Sequence, residues 1–466
     1  MEAYKIKNPN AILNETPTVV GMMATVIEGG GSIDTAVRDV AKNGPERSAA
    51  LFRSIVVRAD TRLIRDISQG LSEMLSSVPA EAAAFRRSIH MIMAAEASTE
   101  ISERKRMLCD ASDIALSGLR EIGEKYSTSL NIPCMMIFGL GIMVPMVLMS
   151  ILPMLSLGGV FGDSSVGSEP IILATLVFIP AVILGIIVSI KSKNPFVKAS
   201  SNMDLKYVLP MLSGIPVAFV INQLTQDIQL SLTVAAIISG ISALIYVAPH
   251  VHSEKKREKQ ELLLQDSVFE LGNRLIAGEN FETSIVKAIG ARKECSPVAD
   301  SVYREMGICR GDACSAIKTS IGNTSTHLSG VFCDVYRCAQ KDTRDAGRLA
   351  VSVGRQIQDQ DVVRKGIRNK LKSMTDMMTG TAAIFAPLVL GMSVTMLEPI
   401  SKVMDGVDFG NISAVLSIYL IELCVLVAIL TSFLNGKIDI RDILYRLGFM
   451  LPISLTMFML FSKIGL

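Results

Sequence analysis

Asn131-Ile-Pro-Cys-Met-Met-Ile-Phe-Gly-Leu-Gly-Ile-Met-Val-Pro-Met-Val-Leu-Met-Ser-Ile-Leu-Pro-Met-Leu-Ser-Leu157 carries no charged side chain. A bilayer core takes about 20 consecutive apolar residues as helix, so this run is long enough to cross with some tilt. Only a segment whose backbone bonds are all made internally sits in that medium, which fixes the run as a helix. Ahead of it lies a charge-rich block with helical spacing. Asp376 to Leu397 repeats the arrangement behind a second charge-rich block. The chain therefore reads as an all-α membrane protein, in which polar helical blocks feed apolar helices.

Working outward, residues 17–129 show apolar positions three and four apart, as in Leu51, Ile55 and Val56 and again in Ile64, Ile67 and Leu71. Breaks fall at Gly29-Gly30-Gly31, Gly44-Pro45 and Val78-Pro79. Ser32 suits the N-cap of a helix starting at Ile33, and Asp34 suits that helix's positive end. The expected organisation is a helical domain over 1–130 and four spans at 131–157, 170–190, 207–221 and 230–247. A second helical domain covers 249–375, and three further spans follow at 376–397, 412–434 and 447–461.

Lys and Arg crowd alternate connections. Lys191, Lys193, Lys198 and Lys206 fill one, and Lys437, Arg441 and Arg446 another. The stretch 158–169 and the turn 222–229 have none, and the loop after the fifth span has Lys402 alone. The positive-inside pattern then places both helical blocks in the cytoplasm and the C-terminus outside. Residues 1–17 are polar and show no secretory signal pattern.

Composition agrees with a part-membrane chain. Of 466 residues, 50% are hydrophobic, and mean hydropathy is +0.43. A net charge of +2 implies no bulk attraction to nucleic acid. With no Trp, the aromatic belt at the membrane surfaces is thin.

Little in the sequence carries chemistry. The stretch nearest a phosphate loop, Gly311 to Thr319, lacks the glycine before its lysine. His90, His250, His252 and His327 have no metal or triad spacing, and His250 and His252 read as solvated residues at a membrane exit. Cys309, Cys314, Cys333 and Cys338 stand in two C-x4-C steps. A five-residue step on a helix separates sulfurs by about 140°, so these read as free thiols and not metal ligands. No catalytic, cofactor or metal site is expected. Glu422 lies mid-span, where a carboxylate either contacts another helix or serves a function. Arg364, Lys365 and Arg368 open a basic stretch running to Lys372, suited to anionic lipid heads or to an acidic partner.

The two polar blocks resemble each other. Ile27-Glu28-Gly29-Gly30-Gly31-Ser32-Ile33-Asp34-Thr35-Ala36-Val37 parallels Ile276-Ala277-Gly278-Glu279-Asn280-Phe281-Glu282-Thr283-Ser284-Ile285. Allowing one extra glycine in the first, Gly29 matches Gly278, Asp34 matches Glu282 and Thr35 matches Thr283. Pro145-Met-Val-Leu148 likewise parallels Pro387-Leu-Val-Leu390. Four spans, an even number, separate the units, so both enter the membrane in the same direction.

This repeat resembles the type II secretion system F family, the inner-membrane platforms of type II secretion, type IV pili, Tad pili and archaella. A partial match to a later family glutamate is Glu96 in Ala95-Glu-Ala-Ser98. In the second block the aligned Ala339-Gln-Lys-Asp342 lacks it. Seven spans with four between the domains are most similar to archaeal and Tad-type members. The resemblance implies a platform without a motor that couples a separate cytoplasmic hexameric ATPase to extraction of pilin-like subunits from the bilayer. It also implies self-association as a homodimer or larger homo-oligomer. Gly29, Asp34, Glu96, Gly278, Glu282, Arg364, Lys365, Arg368 and Glu422 are the candidate partner or inter-helix contacts. The competing expectation is a polytopic transporter or permease with helical polar domains, in which Glu422 would face the transported species.

Overall fold

The computed structural model describes residues 9–148, 173–196, 205–225, 227–309, 312–322, 324–403, 412–436 and 439–463. Among these, every regular element is a helix. The first five are α1 (Pro9–Glu28), α2 (Ile33–Asn43), α3 (Glu46–Asp60), α4 (Ile67–Ser76) and α5 (Ala83–Ala97). They are followed by α6 (Ile101–Leu148), α7 (Ala174–Ser192), the short α8 (Leu209–Thr225) and α9 (Ile228–Ile276). Next come α10 (Phe281–Gly290), α11 (Ser296–Ile308), α12 (Ala313–Ile321) and α13 (Thr326–Ala339). The last are α14 (Thr343–Thr395), α15 (Ile412–Leu434) and α16 (Ile440–Lys463).

The chain divides into two compact units. One takes in Met1–Lys125 and Glu254–Ile367, the other Tyr126–Ser253 and Arg368–Leu466. Both polar stretches thus fall in a single unit, and the boundaries lie inside α6, α9 and α14.

In the first unit each polar stretch folds as six helices in the same order of lengths. Each has its own core: Val37, Phe52, Leu71, Phe85 and Ile89 belong to one, and Leu271, Ile285, Val302, Ile317 and Phe332 to the other. The breaks after α2 and α4 fall where Gly44-Pro45 and Val78-Pro79 stand, because proline supplies no amide to continue a helix. Ser32 caps α2 as expected, its Oγ accepting from the Thr35 amide at 3.4 Å. One periodic position is misplaced by pattern alone. Ile64 is buried but lies in the bend before α4, so the helix begins at Ile67.

The turn between α1 and α2 closes with Gly30 N to Ile27 O (3.0 Å) and Gly31 N to Val26 O (2.9 Å). The turn between α9 and α10 closes identically, with Gly278 N to Leu275 O (3.0 Å) and Glu279 N to Arg274 O (3.1 Å). These are Schellman caps, with Gly30 at φ +80 and Gly278 at φ +87. The left-handed glycine of the first turn is therefore Gly30 and not Gly29. Gly30 opposes Gly278, and Ile33, Asp34, Thr35 and Val37 then oppose Phe281, Glu282, Thr283 and Ile285 with no insertion. Three consecutive glycines conceal that register in the sequence.

A third such cap ends α3, where Arg62 N bonds Ala59 O (3.0 Å) and Leu63 N bonds Arg58 O (2.9 Å). Here a side-chain-bearing residue holds φ 56, a conformation that costs about 1 kcal/mol for any residue but glycine. Arg62→Gly is expected to raise unfolding free energy by about 0.5–1 kcal/mol, read as a higher Tm. A neutral or destabilised variant would mean that the arginine side chain holds the turn.

The second unit contains apolar helices. Among the described residues six helices are long and apolar enough to cross a membrane: α6, α7, α9, α14, α15 and α16. This makes the chain a multi-pass, helical membrane protein. The third expected span differs. α8 has 17 residues, at the lower end of what crosses a bilayer, and follows a 3-10 turn at Leu205–Val208. It lies antiparallel to α9. The Tyr207 ring packs tilted against Tyr246 (5.7 Å) and edge-on against His250 (5.4 Å), Ser242 Oγ donates to Pro210 O (2.8 Å), and the turn to α9 is capped by Asp227. α8 therefore runs alongside the whole apolar part of α9. His250 is exposed, but it belongs to this aromatic cluster with Arg441 over Tyr207 (4.5 Å). α9 and α16 are antiparallel too, since Gln229 donates to Ser462 (2.6 Å) and Gly240 meets Gly448. Small residues at such crossings let helices approach closely.

Of the expected connections, 158–169, most of the lysine-rich loop before α8, the Lys402 side chain, residues 404–411 and Lys437 lie outside the described residues.

Candidate functional site

Two places gather polar groups, one in each unit. In the first unit the two six-helix sets meet along α14. Ser352, Gln356, Gln360 and Arg364 recur every fourth residue and so share one face of that helix. Ser352 Oγ donates to Glu28 Oε2 (3.1 Å), and Gln356 Nε2 to Ser112 Oγ (2.7 Å). Gln360 Nε2 donates to Pro17 O (2.8 Å), and Arg364 Nη2 to Thr18 Oγ1 (3.2 Å). As α14 advances from 352 to 360, its partners on α1 retreat from 28 to 17, so these helices are antiparallel. Gly21 stands where a side chain would press on the Gln356 amide.

Beside this stripe lies a cavity of about 20 Å³, bordered by Thr25, Asp39, His327, Asp334, Gln356 and Gln360. That is the size of one water and is lined by groups that would hold it. His327 on α13 is pushed down to about 4, first by burial and then by the nearby Arg364 cation. Asp334, two turns along, is pushed up to about 6 by burial and by the Asp39 carboxylate of the other set. Arg337 and Lys318 oppose the shift. Glu28 is also raised, by burial, against the Ser352 bond and Lys105. The spacing rules for catalytic or metal-binding histidines contain no signal for His327. Only the tertiary packing of α13 on α1 and α2 brings it beside the stripe.

The candidate residues fall as follows. Gly29 and Gly278 sit at the two Schellman turns, exposed. Asp34 pairs with Arg38 within α2 (3.1 Å), and Arg38 also reaches Asp60 (2.8 Å), so it is the arginine that ties α2 to α3. Glu282 accepts from Asn280 Nδ2 (2.9 Å). Glu96 is exposed near the end of α5. The basic stretch on α14 is divided. Arg364 is committed to the stripe, Lys365 pairs with Asp361 (2.6 Å), and Arg368 is exposed. None of Gly29, Asp34, Glu96, Gly278 and Glu282 borders the cavity.

In the second unit, three helices each carry one widened turn with i to i−5 bonding: Gly139–Met143 in α6, Ala174–Phe178 in α7 and Thr381–Phe385 in α14. Such π-turns concentrate at functional positions and leave a carbonyl without its helical partner. α15 touches all three. Tyr419 donates its hydroxyl to Gly141 O (2.6 Å), and Cys424 offers its thiol to Ala382 O (3.9 Å). Glu422 lies between them in sequence, with Oε2 buried and unbonded. The tyrosine and cysteine partners were not foreseen, because a π-turn has no residue signature of its own.

Among the described residues no group of three His, Cys, Asp or Glu side chains is arranged to hold a metal. The chain matches no family model, no curated protein and no solved structure.

Proposed function

We propose that this chain is the membrane platform of a type IV pilus-like secretion or assembly machine. It couples a separate cytoplasmic hexameric ATPase to the extraction of pilin-like subunits from the bilayer. The observation that supports this best is the pair of six-helix sets opened by equivalent Schellman turns at Gly30 and Gly278, each leading into a long helix with an apolar end, α6 or α14. In this reading the sets are the two copies of a duplicated domain. Both lie in the cytoplasm, the protein acts as a dimer, and Asp34, Glu96 and Glu282 are contacts for its partners. With no phosphate loop in the sequence, the energy comes from that partner.

In this reading α8 crosses, so that four spans separate the two sets, and the hydrogen bonds that join the sets along α14 support their lying on one side of the bilayer. Ser253→Cys in intact cells is expected to resist a membrane-impermeant maleimide and to react only after permeabilisation. Labelling of Ser253→Cys from outside would end the proposal. For the partner, the purified full chain is mixed with a secretion-type hexameric ATPase from the same organism. Co-elution on gel filtration is expected. ATP hydrolysis by the chain alone, or its separation from that ATPase, would overturn the assignment.

A permease is favoured by a different observation: Glu422, with Oε2 buried and unbonded, stands on α15 between Tyr419 and Cys424, which reach two of the widened turns. Under that reading Glu422→Gln abolishes uptake of a solute. Under the platform reading it alters only filament assembly or protein secretion.

A further inference from the structure

On one helix the two sulfurs of a C-x4-C step diverge. The structure brings together one cysteine from each step. Cys314 lies in the first turn of α12 and is half-exposed, whereas Cys333 on α13 is buried. They are 19 positions apart in the chain, yet the Cys333 thiol donates to the Cys314 carbonyl oxygen at 3.5 Å. α12 and α13 pack directly on one another, with Ile317, Ile321, Leu328 and Phe332 in the shared core.

We propose that Cys314 and Cys333 form a disulfide modification site, closed by a small-molecule disulfide of the glutathione class and tying α12 to α13. The half-exposed sulfur acts first. The Cys314 thiol gives its proton to water, and its sulfur attacks the small disulfide. The S–S bond breaks, one small thiolate leaves and is protonated, and Cys314 carries the other half as a mixed disulfide. The Cys333 sulfur then attacks the Cys314 sulfur and displaces the second small thiolate, which takes the Cys333 proton. Two protein thiols are oxidised, one external disulfide is reduced to two thiols, and two electrons are transferred. Cys333 is ill placed to start the exchange, because burial and the neighbouring Cys314 thiol hold its own thiol protonated. It is well placed to finish it, since its target lies against it. The same helix α13 carries His327 and Asp334 to the junction of the two helical sets, so the cross-link fixes the element that bears the junction's titratable groups. This inference stands independently of the proposed function.

The test uses the full chain in detergent, equilibrated with oxidised glutathione, quenched with N-ethylmaleimide and digested without reduction. The expected product is a single cross-linked peptide pair joining Cys314 to Cys333, about 2 Da lighter than the two reduced peptides together. Cys309 and Cys338 carry maleimide. In Cys333→Ser, Cys314 is expected to stop at the glutathione adduct. In Cys314→Ser, Cys333 is expected to remain a thiol. Maleimide on both Cys314 and Cys333 of the oxidised wild-type chain would overturn the proposal. So would pairing of either with Cys309 or Cys338, or equal yield of the 314–333 pair in guanidinium-unfolded chain. The wild-type measurement decides even if a variant fails to fold.

Discussion

Gly347→Ala is expected to destabilise the protein by about 3 kcal/mol or more, and Gly272→Ala by a similar amount. α9 and α14 approach each other backbone to backbone at this point. A Cβ on Gly347 would stand 2.7 Å from Ile276 N and 2.9 Å from Gly272 O. A Cβ on Gly272 would stand 2.8 Å from Val351 N and 2.9 Å from Gly347 O. A flexible side chain could swing aside; these are main-chain atoms inside helices, so the helices themselves must separate. Separation would open the core formed by Leu271, Leu275, Leu349 and Ala350. The helix-propensity gain of alanine over glycine, about 0.5–1 kcal/mol, offsets only part of that loss. Gly366→Ala in the same α14 supplies the control. Nothing lies within 4 Å of its added Cβ, so the propensity gain alone is expected and its Tm should rise. Thermal unfolding of the three variants separates the cases. Equal melting temperatures for Gly347→Ala and Gly366→Ala would refute the close approach. Because both glycines serve one contact, the double variant is expected to lose less than the sum of the singles.

That crossing also marks where sequence reading ends. Apolar runs foretold the all-α membrane class, because a bilayer imposes a length and a composition that one chain displays directly. 412–434 coincides with α15. The start of α8 and the extension of α9 to 49 residues were less visible, since a helix that leaves an apolar medium keeps its backbone bonds and simply changes surface. Local turn chemistry was half legible. Ser32, Asp34 and Glu282 were found at helix starts, but three successive glycines gave no means of choosing the left-handed one. The junction inside the first unit was not legible at all. Ser352, Gln356, Gln360 and Arg364 read as one polar helix face among several. Only their partners on α1 and α6, more than 200 positions away, distinguish that face from a solvated one. The same holds for Cys314 and Cys333, which are brought together by helix packing and not by spacing.

The junction's two shifted groups predict opposite pH responses that single substitutions should uncouple. His327 has its folded value lowered from 6.5 to about 4. Between these values the unfolded chain binds the additional proton, so this group's stability is complete above pH 6.5 and is lost as pH falls toward 4. At about 1.4 kcal/mol per unit, the loss is on the order of 3 kcal/mol. Asp334 has its folded value raised from 3.8 to about 6. Here the folded chain binds the additional proton between pH 6 and 3.8, so acidification relieves a cost present at neutral pH, again on the order of 3 kcal/mol. The two slopes nearly cancel between pH 6 and 4, and the pair contributes little net pH dependence to the wild-type chain. Asp334→Asn removes the gain and leaves the histidine loss. Relative to wild type, its stability is expected to fall by about 3 kcal/mol on going from pH 7 to pH 4. His327→Gln leaves the aspartate gain, and relative to wild type its stability should rise by a similar amount over the same interval. Asp39→Asn removes the carboxylate facing Asp334 and should shrink the aspartate response without touching the histidine one. Urea unfolding at pH 7, 6, 5 and 4 for wild type and the three variants measures each difference, so groups titrating elsewhere drop out. Parallel pH curves for Asp334→Asn and His327→Gln would show that neither group is buried at this junction, and the meeting of the two helical sets along α14 would fall with them.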